Sequence, residues 1–111
     1  MEIFELVVTA PSDEMRHAWV DVLCGSLTEL VGGVSIYEGQ GGYKSEVGVL
    51  VFEPHTKILA YCQDMKAREV FNFMSTHIRL YKENCQQKAV LVVLNGELYV
   101  FTEVPSSLPL D

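Results

Sequence analysis

The order strand–helix–strand occurs twice along this chain, and its strands are apolar at nearly every position rather than at every second one. Right-handed crossovers put both helices of a βαββαβ order on the same face of one mainly antiparallel sheet. The opposite face of such a sheet ordinarily alternates apolar with polar residues. Here Val47-Gly48-Val49-Leu50-Val51-Phe52 and Ala89-Val90-Leu91-Val92-Val93-Leu94 run without a break, and Ile3 and Val7 interleave with Phe4, Leu6 and Val8. Leaving that second face wet exceeds the few hundred Å² of apolar patch usual on a monomer. A dimer, or three sheets around an axis, removes the problem. At about 25 cal/mol per Å², burying roughly 600 Å² per subunit contributes on the order of 15 kcal/mol before association costs. The other way to cover the face is for the C-terminal hairpin and tail to fold back over it.

Local signals place the elements. Ile3 to Ala10 reads as a strand ended by Pro11. Ser12 is an N-cap, Asp13 and Glu14 suit a first turn, and Met15, Ala18, Trp19, Val22, Ser26 and Leu30 recur at helical steps until Gly32-Gly33. Val34 to Glu38 is a short strand. Gly39-Gln40-Gly41-Gly42-Tyr43-Lys44-Ser45 reads as a loop whose glycines supply positive φ. Val47 to Glu53 and Lys57 to Cys62 are strands around a tight turn at Pro54-His55-Thr56. Asp64 is the expected cap of a second helix with the stripe Ala67, Val70, Phe71, Met74, Ile78 and Tyr81. Asn95-Gly96 joins Leu91–Leu94 to Leu98–Thr102 as a type I′ hairpin. Residues 1–104 form one α+β domain, and 105–111 are a Ser/Pro tail with no reason to fold alone.

Composition narrows the partners. Eight Lys and Arg against fifteen Asp and Glu leave a formal charge of −7, which repels phosphate backbones and anionic headgroups, so neither nucleic acid nor membrane is expected. The acidic opening Met1-Glu2-Ile3-Phe4-Glu5 lacks a signal peptide's basic region, and three widely spaced cysteines without CxxC fit a reducing compartment. A cytoplasmic location is the expectation.

The glycine-rich stretch, with Tyr43 and Lys44, is a candidate ligand- or partner-contacting segment: Gly39, Gln40, Gly41, Gly42, Tyr43 and Lys44. A dinucleotide fingerprint would open a helix, and this one leads into a strand. Glu53, His77 and Tyr81 are the polar groups nearest a possible cavity between helices and sheet. His17, His55 and His77 have no ligand spacing, so no metal site is expected. Cys62 precedes the second helix, the one position favourable for a thiolate, but reads as an inert strand-end core residue. No catalytic residue and no cofactor are assigned.

On these residues the architecture resembles the ferredoxin-like class, which includes the nitrogen-regulatory PII proteins, the CutA-type proteins and the dimeric α+β-barrel monooxygenases. Gly39 to Glu46 occupies the place of the PII partner-contacting loop but is far shorter, and the PII nucleotide-binding motifs have no counterpart. Gly33-Val34, Gly39-Gln40-Gly41-Gly42-Tyr43, Glu53-Pro54-His55-Thr56-Lys57 and Gln87-Lys88-Ala89-Val90 are also similar to the pattern of a small bacterial α+β family of unknown function. That likeness spans about residues 5 to 94. The chain departs from the family by the Asn95-Gly96 hairpin and by showing no secretion or lipid-anchor segment. The resemblance implies a fold and no chemistry.

The expected fold is therefore an α+β, ferredoxin-like βαββαβ sandwich with an extra C-terminal hairpin. The expected function is that of a non-enzymatic regulatory or interaction module acting as a homo-oligomer, its partner another copy, another protein or a small ligand. The alternative is a small cofactor-independent enzyme of the dimeric α+β-barrel type, working in the space between helices and sheet.

Overall fold

A computed structural model describes residues 1–110. Five strands and two helices follow in the order β1 (Glu2–Val8), α1 (Asp13–Val31), β2 (Val34–Lys44), β3 (Leu50–Cys62), α2 (Ala67–Asn84), β4 (Val90–Leu94) and β5 (Glu97–Phe101). The sheet order is β2-β3-β1-β4-β5, every neighbouring pair antiparallel. Both crossovers return a helix to the same face, so the expected βαββαβ layer pair with a terminal hairpin is what forms.

The register sorts the apolar residues of each strand. Phe4, Leu6 and Val8 of β1, Ile58 and Ala60 of β3, and Val90, Val92 and Leu94 of β4 face the helices and are buried. They close on Leu23 and Leu27 of α1 and on Val70, Phe71, Met74, Ile78 and Tyr81 of α2. The space between helices and sheet is thus occupied by fully buried side chains, which disfavours a barrel-type enzyme working there. Val92, from the strand run that suggested an assembly face, belongs to this interior at 0% exposure.

The second helix follows its predicted stripe, and the first only in part: Met15, Trp19 and Leu30 pack against the core from its flank. Arg16, Val20, Leu23 and Leu27 are the buried residues of α1, whereas Ala18 and Val22 are exposed. A charged residue at the head of the true stripe disguised it. Arg16 is held by Asp13 Oδ1 at 2.7 Å, Thr56 Oγ1 at 3.2 Å and Glu38 Oε2 at 3.5 Å, and Thr56 Oγ1 donates to Glu38 Oε1 at 2.9 Å. This cluster ties the start of α1 to β2 and β3, satisfying a charge that could not be buried alone.

Caps and turns explain the boundaries. Ser12 Oγ accepts the Met15 N–H, and Gly32 ends α1 with φ +88°. The α2 cap falls two residues later than Asp64: Glu69 accepts the Lys66 N–H and Glu2, from the first strand, accepts the Ala67 N–H at 2.8 Å. Asn95 and Gly96 have φ +50° and +86°, as the type I′ hairpin requires.

Residues Gly39 to Lys44 are not a loop, and Pro54-His55-Thr56 is not a turn. The first belong to β2 and the second to a single thirteen-residue β3. The two strands pair without interruption from Val34↔Ala60 to Lys44↔Leu50 and reverse at Ser45–Val49, where Gly48 has φ +81°. Pro54 is tolerated because β1 ends at Val8↔Thr56, leaving β3 without that neighbour where the proline falls. The result is a long two-stranded ribbon projecting past the body.

The tail does not cover the bare sheet face. Val104 is buried, Asn72 brackets Leu108 through both its carbonyl and its amide, Ser75 Oγ donates to Ser106 O, and Arg68 donates to Pro109 O. These contacts strap the described residues 105–110 along α2. The β4–β5 hairpin extends the sheet sideways.

Candidate functional site

The face away from the helices carries Ile3 and Val7 of β1, Leu59 and Tyr61 of β3, Leu91 and Val93 of β4, and Leu98 and Val100 of β5. It is not purely apolar. Lys57 Nζ lies 3.7 Å from Glu5 Oε1 and 5.6 Å from the centre of the Tyr37 ring. Leu91, Leu98 and Val100 are exposed on it, and along the ribbon Tyr43 continues this face, Leu50 (56%) and Phe52 (62%) are exposed on the opposite surface, and Val47 (84%) and Val49 lie exposed at the reversal.

Where the ribbon leaves the body, this face forms a cleft of about 380 Å³ lined by Val7, Thr9, Gly41, Gly42, Tyr43, Glu53, His55 and Leu91. Its shape depends on glycine. Gly39 pairs with His55 and Gly41 with Glu53, so two larger side chains stand opposite residues that have none. A methyl group at Gly39 would come within 3.0 Å of His55 Nε2, and one at Gly41 would lie 3.8 Å from His55 Nδ1. Neither glycine has a positive φ; Gly39 is needed for close approach of the imidazole, whereas a methyl group at Gly41 would meet it only at ordinary contact distance. Gly42 serves the other face, its missing Cβ leaving 3.3 Å to the Phe52 ring. Gly39→Ala is therefore expected to displace the His55 ring, moving its NMR resonances, whereas Gly41→Ala leaves them in place. Both variants should fold within about 1 kcal/mol of the parent.

A hydrogen-bond chain backs the cleft. The buried Tyr81 hydroxyl donates to Thr9 O at 2.6 Å and accepts the Thr9 N–H at 2.8 Å, clamping the end of β1. Thr9 Oγ1 donates to Gln87 Oε1, and Gln87 Nε2 donates to Cys85 O at 2.8 Å. Burial pushes the Tyr81 phenol above its ordinary range, more than the hydrogen bonds to Thr9 hold it down, with Cys85 and Glu53 adding to the rise. Burial likewise raises the Cys24, Cys62 and Cys85 thiols, and Glu2 adds to the effect at Cys62. They are poor nucleophiles in this state.

Of the residues singled out in the sequence, Gly41, Gly42, Tyr43 and Glu53 line this cleft, and Tyr81 supports it from behind through Thr9. Gly39 lies beside it under His55, and Gln40 and Lys44 continue the same strand. His77 is elsewhere, in a groove of about 270 Å³ with Ser26, Glu29, Leu30, Phe73 and Met74, its Nδ1 buried without a hydrogen-bond partner. Glu53, His77 and Tyr81 therefore do not share one cavity. Thr9, His55 and Gln87 were not among the candidates; the equal spacing of Gly39 and Gly41 at a period of two was the signal that could have paired them with β3. Among the described residues, no three His, Cys, Asp or Glu side chains come together as a metal-binding group. No helix among the described residues is long and apolar enough to cross a membrane.

No protein-family model and no curated protein sequence matches the chain. Solved structures do. A phage SAM lyase in complex with S-methyl-5'-thioadenosine superposes with a TM-score of 0.63 at 15% identity, over 90% of this chain and 88% of that one. CutA1 from Pyrococcus horikoshii gives 0.52 at 13% identity over 95% and 87%. The periplasmic divalent cation tolerance protein CutA from Archaeoglobus fulgidus gives 0.50 at 16% over 91% and 82%. At these identities the likeness is one of fold, and the CutA-like, ferredoxin-like architecture expected from the sequence is the one this chain adopts.

Proposed function

We propose that the chain works as a homo-oligomer in which the β2–β3 ribbon of one copy packs on the bare sheet face of another, completing the cleft at the ribbon's root as a small-molecule site. The observation that carries this reading is the ribbon itself: it exposes apolar side chains, Tyr43 on one surface and Leu50 and Phe52 on the other, where it runs past the end of β1. A projecting ribbon of this kind is stable in water only if something covers it. The equal need of every copy for such cover makes another copy the simplest partner. Light scattering at two concentrations tests it; a particle of monomer mass at both would end the proposal. The three unpaired thiols support a reducing, cytoplasmic setting for this assembly.

The cleft favours one ligand chemistry. Its lining is mostly apolar, with Tyr43 at one side and the Glu53 carboxylate, which forms no salt bridge among the described residues. A cation joined to a flat ring matches that set, and a net charge of −7 draws cations toward the protein. S-adenosylmethionine, a sulfonium carrying a purine, has this form. The fold shared with the phage SAM lyase supports a second reading on the same cleft, that of an enzyme breaking S-adenosylmethionine at its sulfonium: the carbon–sulfur bond to the aminobutyrate chain breaks with its electron pair passing to sulfur, the chain's own carboxylate bonds to that carbon and leaves as a lactone, and S-methyl-5'-thioadenosine remains. Incubation with S-adenosylmethionine followed by chromatography decides between the two. An enzyme releases S-methyl-5'-thioadenosine and loses this at least tenfold in Glu53→Gln; a binding module leaves the compound intact, and Glu53→Gln weakens its binding instead.

A further inference from the structure

We infer that Thr9 is the specificity-determining hydrogen-bond acceptor of the cleft, its polarity fixed from outside by Gln87 and the end of α2. This rests on the cleft being the ligand site. The Cys85 carbonyl, at the C-terminal end of α2, can only accept, so the hydrogen bond it receives from Gln87 fixes which end of that amide is nitrogen. Gln87 Oε1 consequently faces Thr9, and it takes the one proton the Thr9 hydroxyl has to give. What Thr9 Oγ1 retains toward the cleft is lone pairs. Tyr81 holds the backbone of the same residue by both its N–H and its carbonyl, which fixes where the side chain starts, and the bond to Gln87 then sets the direction of the hydroxyl. With Val7 and Leu91 beside it as an apolar bed, Thr9 reads the edge of a flat ring and admits a ring that presents an N–H there. A ring presenting only acceptors at that edge meets lone pair against lone pair and leaves both groups unsatisfied.

The probes are S-methyl-5'-thioadenosine, whose ring edge carries an amine, and its 6-methoxypurine counterpart, which carries only acceptors there. Calorimetric titration of the intact chain should show the adenosine compound binding about tenfold or more tighter. Thr9→Val keeps the shape and removes the acceptor, and should abolish the preference; Thr9→Ser should retain it. Gln87→Leu frees the hydroxyl proton to be donated and should narrow the preference without removing binding, which a merely structural role for Gln87 would not do. Thermal melting identifies any variant that fails to fold, and Thr9→Ser with Gln87→Leu then carries the comparison. A Thr9→Val or Gln87→Leu protein that keeps the full preference overturns the inference, as does a parent chain that binds both compounds equally. A parent chain that binds neither removes the adenosyl reading of the cleft, and this inference with it.

Discussion

A chain carrying Leu50→Lys and Phe52→Lys together is expected to be a soluble, folded monomer of 12.5 kDa by light scattering, and the parent, on the proposed assembly, a multiple of that mass. Both side chains are more than half exposed in the single copy, so replacing them removes little from its own core. Surface changes of this kind move stability by about 0.5 kcal/mol each. In an assembly the same positions lie against apolar surface, and two buried ammonium groups there, each costing several kcal/mol, outweigh a contact of ordinary size. Far-UV circular dichroism separates loss of assembly from loss of fold. An oligomer that survives both lysines would place the contact elsewhere on the chain.

The opposite pattern is expected one strand-step inside. Val92→Lys puts a charge at a position with no exposure, opposite Leu6, which is equally enclosed. The expected loss exceeds about 4 kcal/mol, a large part of the roughly 5–15 kcal/mol that holds such a domain together. Leu91→Lys, on the bare face, should leave the fold intact. Urea denaturation of the two variants side by side checks the register: if Leu91→Lys is the one that unfolds, the faces of β4 have been exchanged.

These two neighbours show how far the sequence could be read. Continuous apolar runs announced strands buried or covered on both sides, and the helices, the hairpin at Asn95-Gly96 and the layer order followed from local chemistry. Which of Leu91 and Val92 points inward is a matter of register, set by pairing with β1, and no periodicity within the run reveals it. The α1 stripe was misplaced because Arg16, a residue that ordinarily signals solvent, is buried by partners 22 and 40 positions away, Glu38 and Thr56. The ribbon was misplaced because glycine and proline are punctuation in most contexts. Here Gly39 makes room for His55, and Pro54 falls where β3 has no β1 beside it. The cleft was half legible for the same reason: its glycines, Tyr43 and Glu53 stood out as unusual, whereas Thr9 and Gln87 become chemically interesting only when α2 delivers the chain from Tyr81 to Gln87 beside the end of β1.

Pro54 has a further effect on how copies can meet. Past the end of β1, a strand arriving from another molecule could try to take the vacated place alongside β3 and propagate one sheet through many copies. Pro54 gives such an intruder no amide hydrogen, and Pro11 turns the first strand's own chain away from the gap. If copies assemble as proposed, their contact across this gap falls to side chains, which would bound the assembly and leave an opening at the cleft.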